Sequence, residues 1–243
     1  MVDQIANRAT QQVAQLCQRW HLPFEVGSDM AKLGLYDIVL YVGQYLISET
    51  DALYSMWLIC GADDSGSMQF QENGERIKDL QVILQRVTSA ATLFDDDGIS
   101  VRFMNNNPPS HLIIHIRDEK QVDAVMQAIQ YKGLTPMGTE LKNKVLDEFV
   151  LGKANTGQLQ KPVLVIVLTD GQPAGEPQNA IFDTIRNANM ELQRSRYGAG
   201  AVAFQIAQVG NDVDARKFLE KLDSDPVVGG LVDCTSSTLS LIA

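Results

Sequence analysis

Three short segments of the sequence carry oxygen-bearing side chains that together could hold a divalent cation. Residues 63–67, Asp-Asp-Ser-Gly-Ser, offer a carboxylate and two hydroxyl groups, and the glycine allows a tight backbone path. Residues 133–141 and 168–171 add a threonine and a further aspartate. Such hard oxygen ligands suit Mg²⁺ or Mn²⁺ and not a soft metal, with Ca²⁺ left open. The predicted ligands are Asp63, Ser65, Ser67, Thr135 and Asp170.

The neighbouring sequence predicts that these segments meet at one edge of a sheet. Residues 163–168, VLVIVL, form an uninterrupted aliphatic run, as expected of a central strand covered by helices on both faces. Open α/β sheets bind ligands at the carboxyl ends of their strands, where residues 63–67 and 168–171 are expected. Each segment alone could be an ordinary turn or helix cap, so the prediction of metal depends on all three.

From about Gly74 onward, helix-like and strand-like stretches alternate, as in a layered α/β domain. Helices are predicted around residues 77–91, 122–129, 137–150, 179–194 and 213–222, and strands at 99–104, 163–168, 201–209 and 230–235. Residues 111–116, HLIIHI, follow a turn rich in Asn and Pro and are predicted to return as an adjacent hairpin strand.

Together, the three segments resemble the metal-ion-dependent adhesion site of a von Willebrand factor A domain, with its D-x-S-x-S motif, then a Thr, then a strand-terminal Asp. The resemblance covers roughly residues 63–234. It implies an α/β fold of the three-layer, doubly wound, Rossmann-like type, with a mostly parallel central sheet, one antiparallel edge hairpin strand and helices on both faces. The overall pattern also looks similar to stand-alone A domains of fungal proteins.

The resemblance further implies a role for each ligand. Ser65 and Ser67 would bind the ion directly, Asp63 and Asp170 directly or through water, and Thr135 in the high-affinity arrangement. Few charges would bind the ion, so it would remain electrophilic toward an Asp or Glu carboxylate of a protein partner. The expected function is binding and not catalysis. A Mg²⁺-dependent phosphoryl-transfer enzyme and a structural subunit with metal-stapled loops are the alternatives.

Several other polar residues are assigned no role in binding. Asp64 is predicted to be solvated, and Thr139 to lie inside a helix, where capping or packing explains it better than metal binding. Cys60 is predicted to be a buried small hydrophobe. His111 and His115 would share one face of a short strand in a structural or exposed role.

Composition limits the partners and the cellular location. The formal net charge of −10 argues against nucleic acid or an anionic membrane as the main partner. The three cysteines have no paired spacing, which favours a reducing compartment. The first residues lack the apolar stretch of a signal peptide, and no run reaches the roughly 18 apolar residues of a membrane span. A cytoplasmic protein is therefore predicted, with its oligomeric state left open.

The domain boundaries depend on which stretch forms the first strand. Residues 35–42, LYDIVLYV, and residues 54–60, YSMWLIC, both have the character of a strand that could lead to Asp63. Either the second is the strand and the first is an extra element, or residues 43–62 are an insertion. We favour the insertion, and predict an N-terminal helical extension at 1–34 followed by an A domain at 35–243.

Overall fold

The computed structural model describes residues 57–92 and 97–235, together with the isolated Gln18. Five parallel strands form one sheet in the order β2-β1-β3-β4-β5. The strands are β1 (Trp57–Ala62), β2 (Ile99–Phe103), β3 (Val163–Thr169), β4 (Val202–Gln208) and β5 (Val232–Thr235). The chain changes direction across the sheet between β1 and β3, and the crevice at such a switch point is where open α/β sheets bind ligands.

Helices cover both faces of this sheet. They are α1 (Gly66–Phe70), α2 (Glu75–Ala91), α3 (Ser110–Ile113), α4 (Glu119–Ala128), α5 (Met137–Glu140), α6 (Gly152–Asn155), α7 (Ala180–Arg194) and α8 (Val213–Asp223). A π-helix, Leu141–Leu151, joins α5 to α6, and short 3-10 segments lie at Gln71–Gly74, Ala199–Ala201 and Gly229–Leu231. Within the described ranges, no helix is long and apolar enough to cross a membrane.

The central strand β3 separates two hydrophobic cores. Val165 and Val167 pack into one core with α7 and α8, while Ile166 and Leu168 pack into the other with α2 and α4. Both sets are buried, which confirms the predicted central strand covered on both faces. The α/β architecture with helices on both faces is likewise confirmed.

The predicted antiparallel edge hairpin is wrong. Ser110–Ile113 forms a short helix, and His115 has a left-handed backbone (φ 56°), which interrupts an extended strand. Within residues 110–116, only Ile116 pairs with β2, through two hydrogen bonds of 2.9 Å with Ile99. His111 and His115 therefore do not share a strand face, although both are exposed as predicted.

The strand that leads to Asp63 is β1, which lies between β2 and β3 and pairs with both. Residues 57–62 therefore belong to the sheet, and their assignment to an insertion is corrected. Because β1 pairs without interruption with β2 on one side and β3 on the other, it is an interior strand of the sheet. Residues 35–42 and the remaining part of the insertion, 43–56, lie outside the described residues. The boundaries at 34 and 35 stay predictions.

Gly138 allows α5 to lie against the start of α7. A Cβ atom at this buried position would be 2.3 Å from the backbone nitrogen of Ile181 and 2.5 Å from the carbonyl carbon of Ala180. We expect Gly138→Ala to lower the free energy of unfolding by about 3 kcal/mol, because two backbones must separate. Urea unfolding measures this, with Gly230→Ala as the control, since a Cβ there meets nothing within 4 Å. Equal stability of the two variants would contradict the close approach.

Candidate metal centre

Asp63 directly follows β1 and is fully buried. Its backbone N–H donates to the Leu168 carbonyl (2.9 Å), which continues the pairing of β1 with β3. The Ser65 N–H donates to Asp63 Oδ1 (2.9 Å), and the Thr169 hydroxyl donates to Asp63 Oδ2 (2.8 Å). The ends of two neighbouring strands thus fix this carboxylate at the switch point of the sheet.

The two serines connect Asp63's loop to Asp170. Ser65 Oγ lies 2.9 Å from Ser67 Oγ, and the Ser67 hydroxyl donates to Asp170 Oδ1 (2.9 Å). Asp170 is fully buried at the end of β3, while Ser67 is half-buried. Hydrogen bonds thus connect four of the five predicted ligands around the ends of β1 and β3.

Thr135 is buried on a second loop, which the backbone attaches to both of the others. The Gly66 N–H donates to the Gly133 carbonyl (3.2 Å), and the Ala174 N–H donates to the Thr135 carbonyl (2.9 Å). The structure therefore brings the three predicted loops together, with Thr135 between the first and the third.

Glu176, which the sequence did not indicate, strengthens the connection between the second and third loops. Its carboxylate accepts the N–H groups of Gly138 (2.8 Å) and Thr139 (2.7 Å), in the first turn of α5. These N–H groups have no partner within the helix, so a carboxylate from another loop stabilises the turn. Thr139 lies within the helix, as predicted.

The electrostatics of the site favour a cation. Burial, together with the negative charge of Asp170, raises the pKa of the Asp63 carboxyl from 3.8 to about 6, against the opposing effect of its hydrogen bonds to Ser65 and Thr169. A positive ion beside two buried carboxylates would relieve their repulsion. Carboxylate and hydroxyl oxygens are the ligands that Mg²⁺ prefers, so the donor set fits this ion.

Clusters of three or more His, Cys, Asp or Glu side chains that could hold a metal are absent from residues 57–92 and 97–235, this site included. The proposed ligand set has only two carboxylates and takes its other oxygens from hydroxyl groups. Cys60, at the edge of the site, is fully buried, which confirms that prediction, and burial raises the pKa of its thiol to about 12. The thiol is therefore protonated at neutral pH.

Arg76 is a second residue at the site that sequence reasoning missed. It projects from α2, is 3% exposed, and places Nη1 2.8 Å from Asp170 Oδ2. Its Nε and Nη2 bind Glu72 Oε1 at 2.9 and 2.8 Å. One signal was available: Arg76 lies four residues before the buried Leu80, on the apolar stripe of the helix, where a charge needs a buried partner.

Asp64 is the third such residue, and its predicted solvation is wrong. The side chain is fully buried and accepts the backbone N–H groups of Asn105 and Asn106, both at 2.8 Å, as well as their side-chain amides. The Asn105 amide also donates to the Leu134 carbonyl (2.9 Å), and the Asn106 amide to the Gln130 carbonyl (2.7 Å). Asp64 therefore connects its own loop to the one that carries Thr135.

No family model and no curated protein matches the sequence. Among solved structures, proximal thread matrix protein 1 from the mussel byssus matches with a TM-score of 0.51 and 19% identity, over 79% of this chain and 46% of that one. A pilus adhesin, SpaC from Lactobacillus rhamnosus GG, matches with a TM-score of 0.45 and 11% identity, over 80% of this chain and 30% of that one. This chain thus spans less than half of either protein.

The mussel match bears on the fold alone. At 19% identity it supports a shared arrangement of strands and helices and leaves the chemistry of the site to its own geometry. Five parallel strands with helices on both faces agree with that arrangement. The described part of the chain therefore has a Rossmann-like α/β fold, in an arrangement that it shares with the mussel protein.

Proposed function

We propose that this protein binds a partner protein through a divalent cation, which accepts an Asp or Glu carboxylate of the partner. The observation that carries the proposal is the chain of contacts from Ser65 through Ser67 to Asp170, beside the buried Asp63, at the switch point of the sheet. The proposed ion is Mg²⁺, with Mn²⁺ or Ca²⁺ as alternatives. The residues that would hold it are Asp63, Ser65, Ser67, Thr135 and Asp170.

The charges of these residues suit a role in binding. Ser65, Ser67 and Thr135 would contribute neutral oxygens, so only Asp63 and Asp170 bring negative charge. Asp170 also shares its charge with Arg76. When bound, the cation would supply a strong electrostatic attraction for a further carboxylate, because its charge is not fully neutralised by the protein.

Exposed apolar side chains beside the site favour a protein as the partner. Phe70, at the end of α1, is 79% exposed, and Leu134, next to Thr135, is 58% exposed. The Phe70 ring and the loop that carries Leu134 both lie next to Gly66. A Cβ built on Gly66 would be 3.9 Å from Phe70 Cε2 and 3.9 Å from the carbonyl oxygen of Gly133, the residue before Leu134. Large apolar groups at a polar rim are typical of protein-binding surfaces.

Catalysis is the less favoured alternative, because both carboxylates of the site are proposed ligands of the cation and neither is left to act on a substrate. Both oxygens of Asp63 accept hydrogen bonds, from Ser65 and Thr169. The two oxygens of Asp170 contact Ser67 and Arg76. A phosphoryl-transfer enzyme of the kind considered above would need a carboxylate free to act as nucleophile or base. We therefore propose a binding protein and not an enzyme.

Calorimetry with the full chain and Mg²⁺ alone tests the metal centre, and a peptide selection tests the partner. We expect saturable Mg²⁺ binding that EDTA reverses. A random peptide library panned on immobilised protein in Mg²⁺ and eluted with EDTA should be enriched in Asp or Glu, and changing that residue to Asn or Gln should abolish binding. If Mg²⁺ does not bind, the proposal is wrong. Binding of Mg²⁺ without enrichment of acidic peptides would favour the metal-stapled structural subunit.

A further inference from the structure

We infer that Arg76 tunes the metal centre: by sharing the charge of Asp170, it weakens cation binding and strengthens the attraction of the bound cation for a partner's carboxylate. This inference rests on the proposed function and assigns to that site a residue that sets the balance between its two affinities.

The contacts of Arg76 fix its guanidinium beside the site. Nη1 lies 2.8 Å from Asp170 Oδ2 and 3.4 Å from the Asp170 carbonyl oxygen, while Nε and Nη2 bind Glu72. The guanidinium is held by Asp170 on one side and by Glu72 on the other, and Arg76 is only 3% exposed. It therefore cannot turn into solvent without breaking buried contacts. Asp170 therefore accepts a hydrogen bond from Ser67 at Oδ1 and one from Arg76 at Oδ2.

The segment that supplies Glu72 is held in an unfavourable conformation. Glu72 and Asn73 both have left-handed backbones, with φ of 50° and 54°. Side chains with a Cβ rarely adopt this region, and such conformations persist where the surrounding structure over-determines them. Glu72 Oε1 also accepts the Asn211 N–H (3.3 Å), so the turn is fastened to the loop after β4. The geometry keeps a carboxylate on the far side of Arg76, where it holds the guanidinium against Asp170.

The consequence for the site follows from its charges. Asp63 and Asp170 bring two negative charges, and Arg76 places one positive charge directly against the second. Removing that positive charge would strengthen the attraction between the carboxylates and a cation. A cation neutralised more fully by the protein attracts an additional carboxylate less. The two affinities should therefore change in opposite directions, whereas loss of a merely structural residue would weaken both.

The variant Arg76→Gln tests this, because it keeps N–H donors for Asp170 and removes the charge. By calorimetry on the full chain, we expect Mg²⁺ to bind on the order of tenfold more tightly than to the wild type. The matched control, Arg76→Lys, keeps the charge and should bind Mg²⁺ within about threefold of the wild type. Folding of each variant is checked by circular dichroism, and Arg76→Met serves as a second uncharged variant if the glutamine protein does not fold.

Acetate is the probe for the second affinity. When acetate is titrated into Mn²⁺-loaded protein, it should displace water from the ion, which water-proton relaxation follows. Half-displacement of the water should require severalfold more acetate for Arg76→Gln than for the wild type or Arg76→Lys. Equal or weaker Mg²⁺ binding by the uncharged variants overturns the inference and leaves the proposed function intact. Failure of the wild type to bind Mg²⁺ overturns both.

Discussion

Replacing Asp63 by asparagine should abolish detectable Mg²⁺ binding and at the same time make the metal-free protein more stable at neutral pH. The binding is lost because Asp63 is one of only two carboxylates among the proposed ligands. The stability rises because the ionised side chain is fully buried beside a second buried carboxylate, Asp170. Opposite effects on function and stability distinguish a ligand from a residue that serves only the fold.

The sign of the stability effect follows from the raised pKa of Asp63. With a pKa of about 6 in the folded protein against 3.8 ordinarily, the folded state holds this proton more tightly than the unfolded state. The metal-free protein therefore loses stability as pH rises from about 4 to 6, and above pH 6 the full penalty is present. Asparagine does not ionise and escapes the penalty. We expect a gain of about 1–2 kcal/mol at pH 7.5, since some charge-assisted hydrogen bonding is lost.

Urea unfolding in EDTA at pH 7.5 and Mg²⁺ calorimetry measure the two effects. Asp183→Asn is the matched control, because it makes the same change of charge at an exposed position on α7. It should leave Mg²⁺ affinity unchanged and alter stability by a few tenths of a kcal/mol. If Asp63→Asn binds Mg²⁺ as well as the control does, Asp63 is not a ligand.

Much of the fold could be predicted because local periodicity carried the information. The stripe that includes Leu80 and Leu84 predicted α2, and the run in residues 163–168 predicted β3. The strand prediction for residues 111–116 was wrong for a related reason. Their apolar pattern suits a strand, but the helix at Ser110–Ile113 and the positive φ of His115 depend on how the chain leaves β2. A short apolar run alone does not decide between helix and strand.

At the candidate site, too, only part of the arrangement could be predicted from the sequence. Its proposed ligands lie in short segments with recognisable spacing, so they could be named before the structure was known. The residues that hold them could not, because their partners are distant in sequence: Arg76 and Asp170 are 94 residues apart, and Asp64 and Asn105 are 41 apart. A buried charge in an apolar stripe was a clue for Arg76. Asp64, in a loop beside another aspartate, gave none.

The substitution Asp64→Asn should also have a large effect, although Asp64 is not a proposed ligand. We expect it to destabilise the protein by about 3 kcal/mol and to weaken Mg²⁺ binding on the order of tenfold. Each of its two oxygens accepts one backbone N–H and one side-chain amide. Asparagine keeps one oxygen and places an NH₂ group against two donors, whichever way the amide is turned. Either Asn105 or Asn106 would then lose its acceptor, which weakens the attachment of the loop of Thr135.

Asp123→Asn is the control that separates this effect from a general loss of hydrogen bonding. Asp123 Oδ1 accepts the side-chain amides of Gln81 and Gln85 at 2.6 and 2.8 Å, and it is only partly buried. An asparagine there keeps an acceptor oxygen, so the loss should stay below about 1 kcal/mol with Mg²⁺ affinity unchanged. Urea unfolding and calorimetry measure both variants. Since Asp64 connects its own loop, which carries Asp63 and Ser65, to the Thr135 loop, a destabilised Asp64→Asn protein with wild-type Mg²⁺ affinity would show that this connection contributes nothing to cation binding.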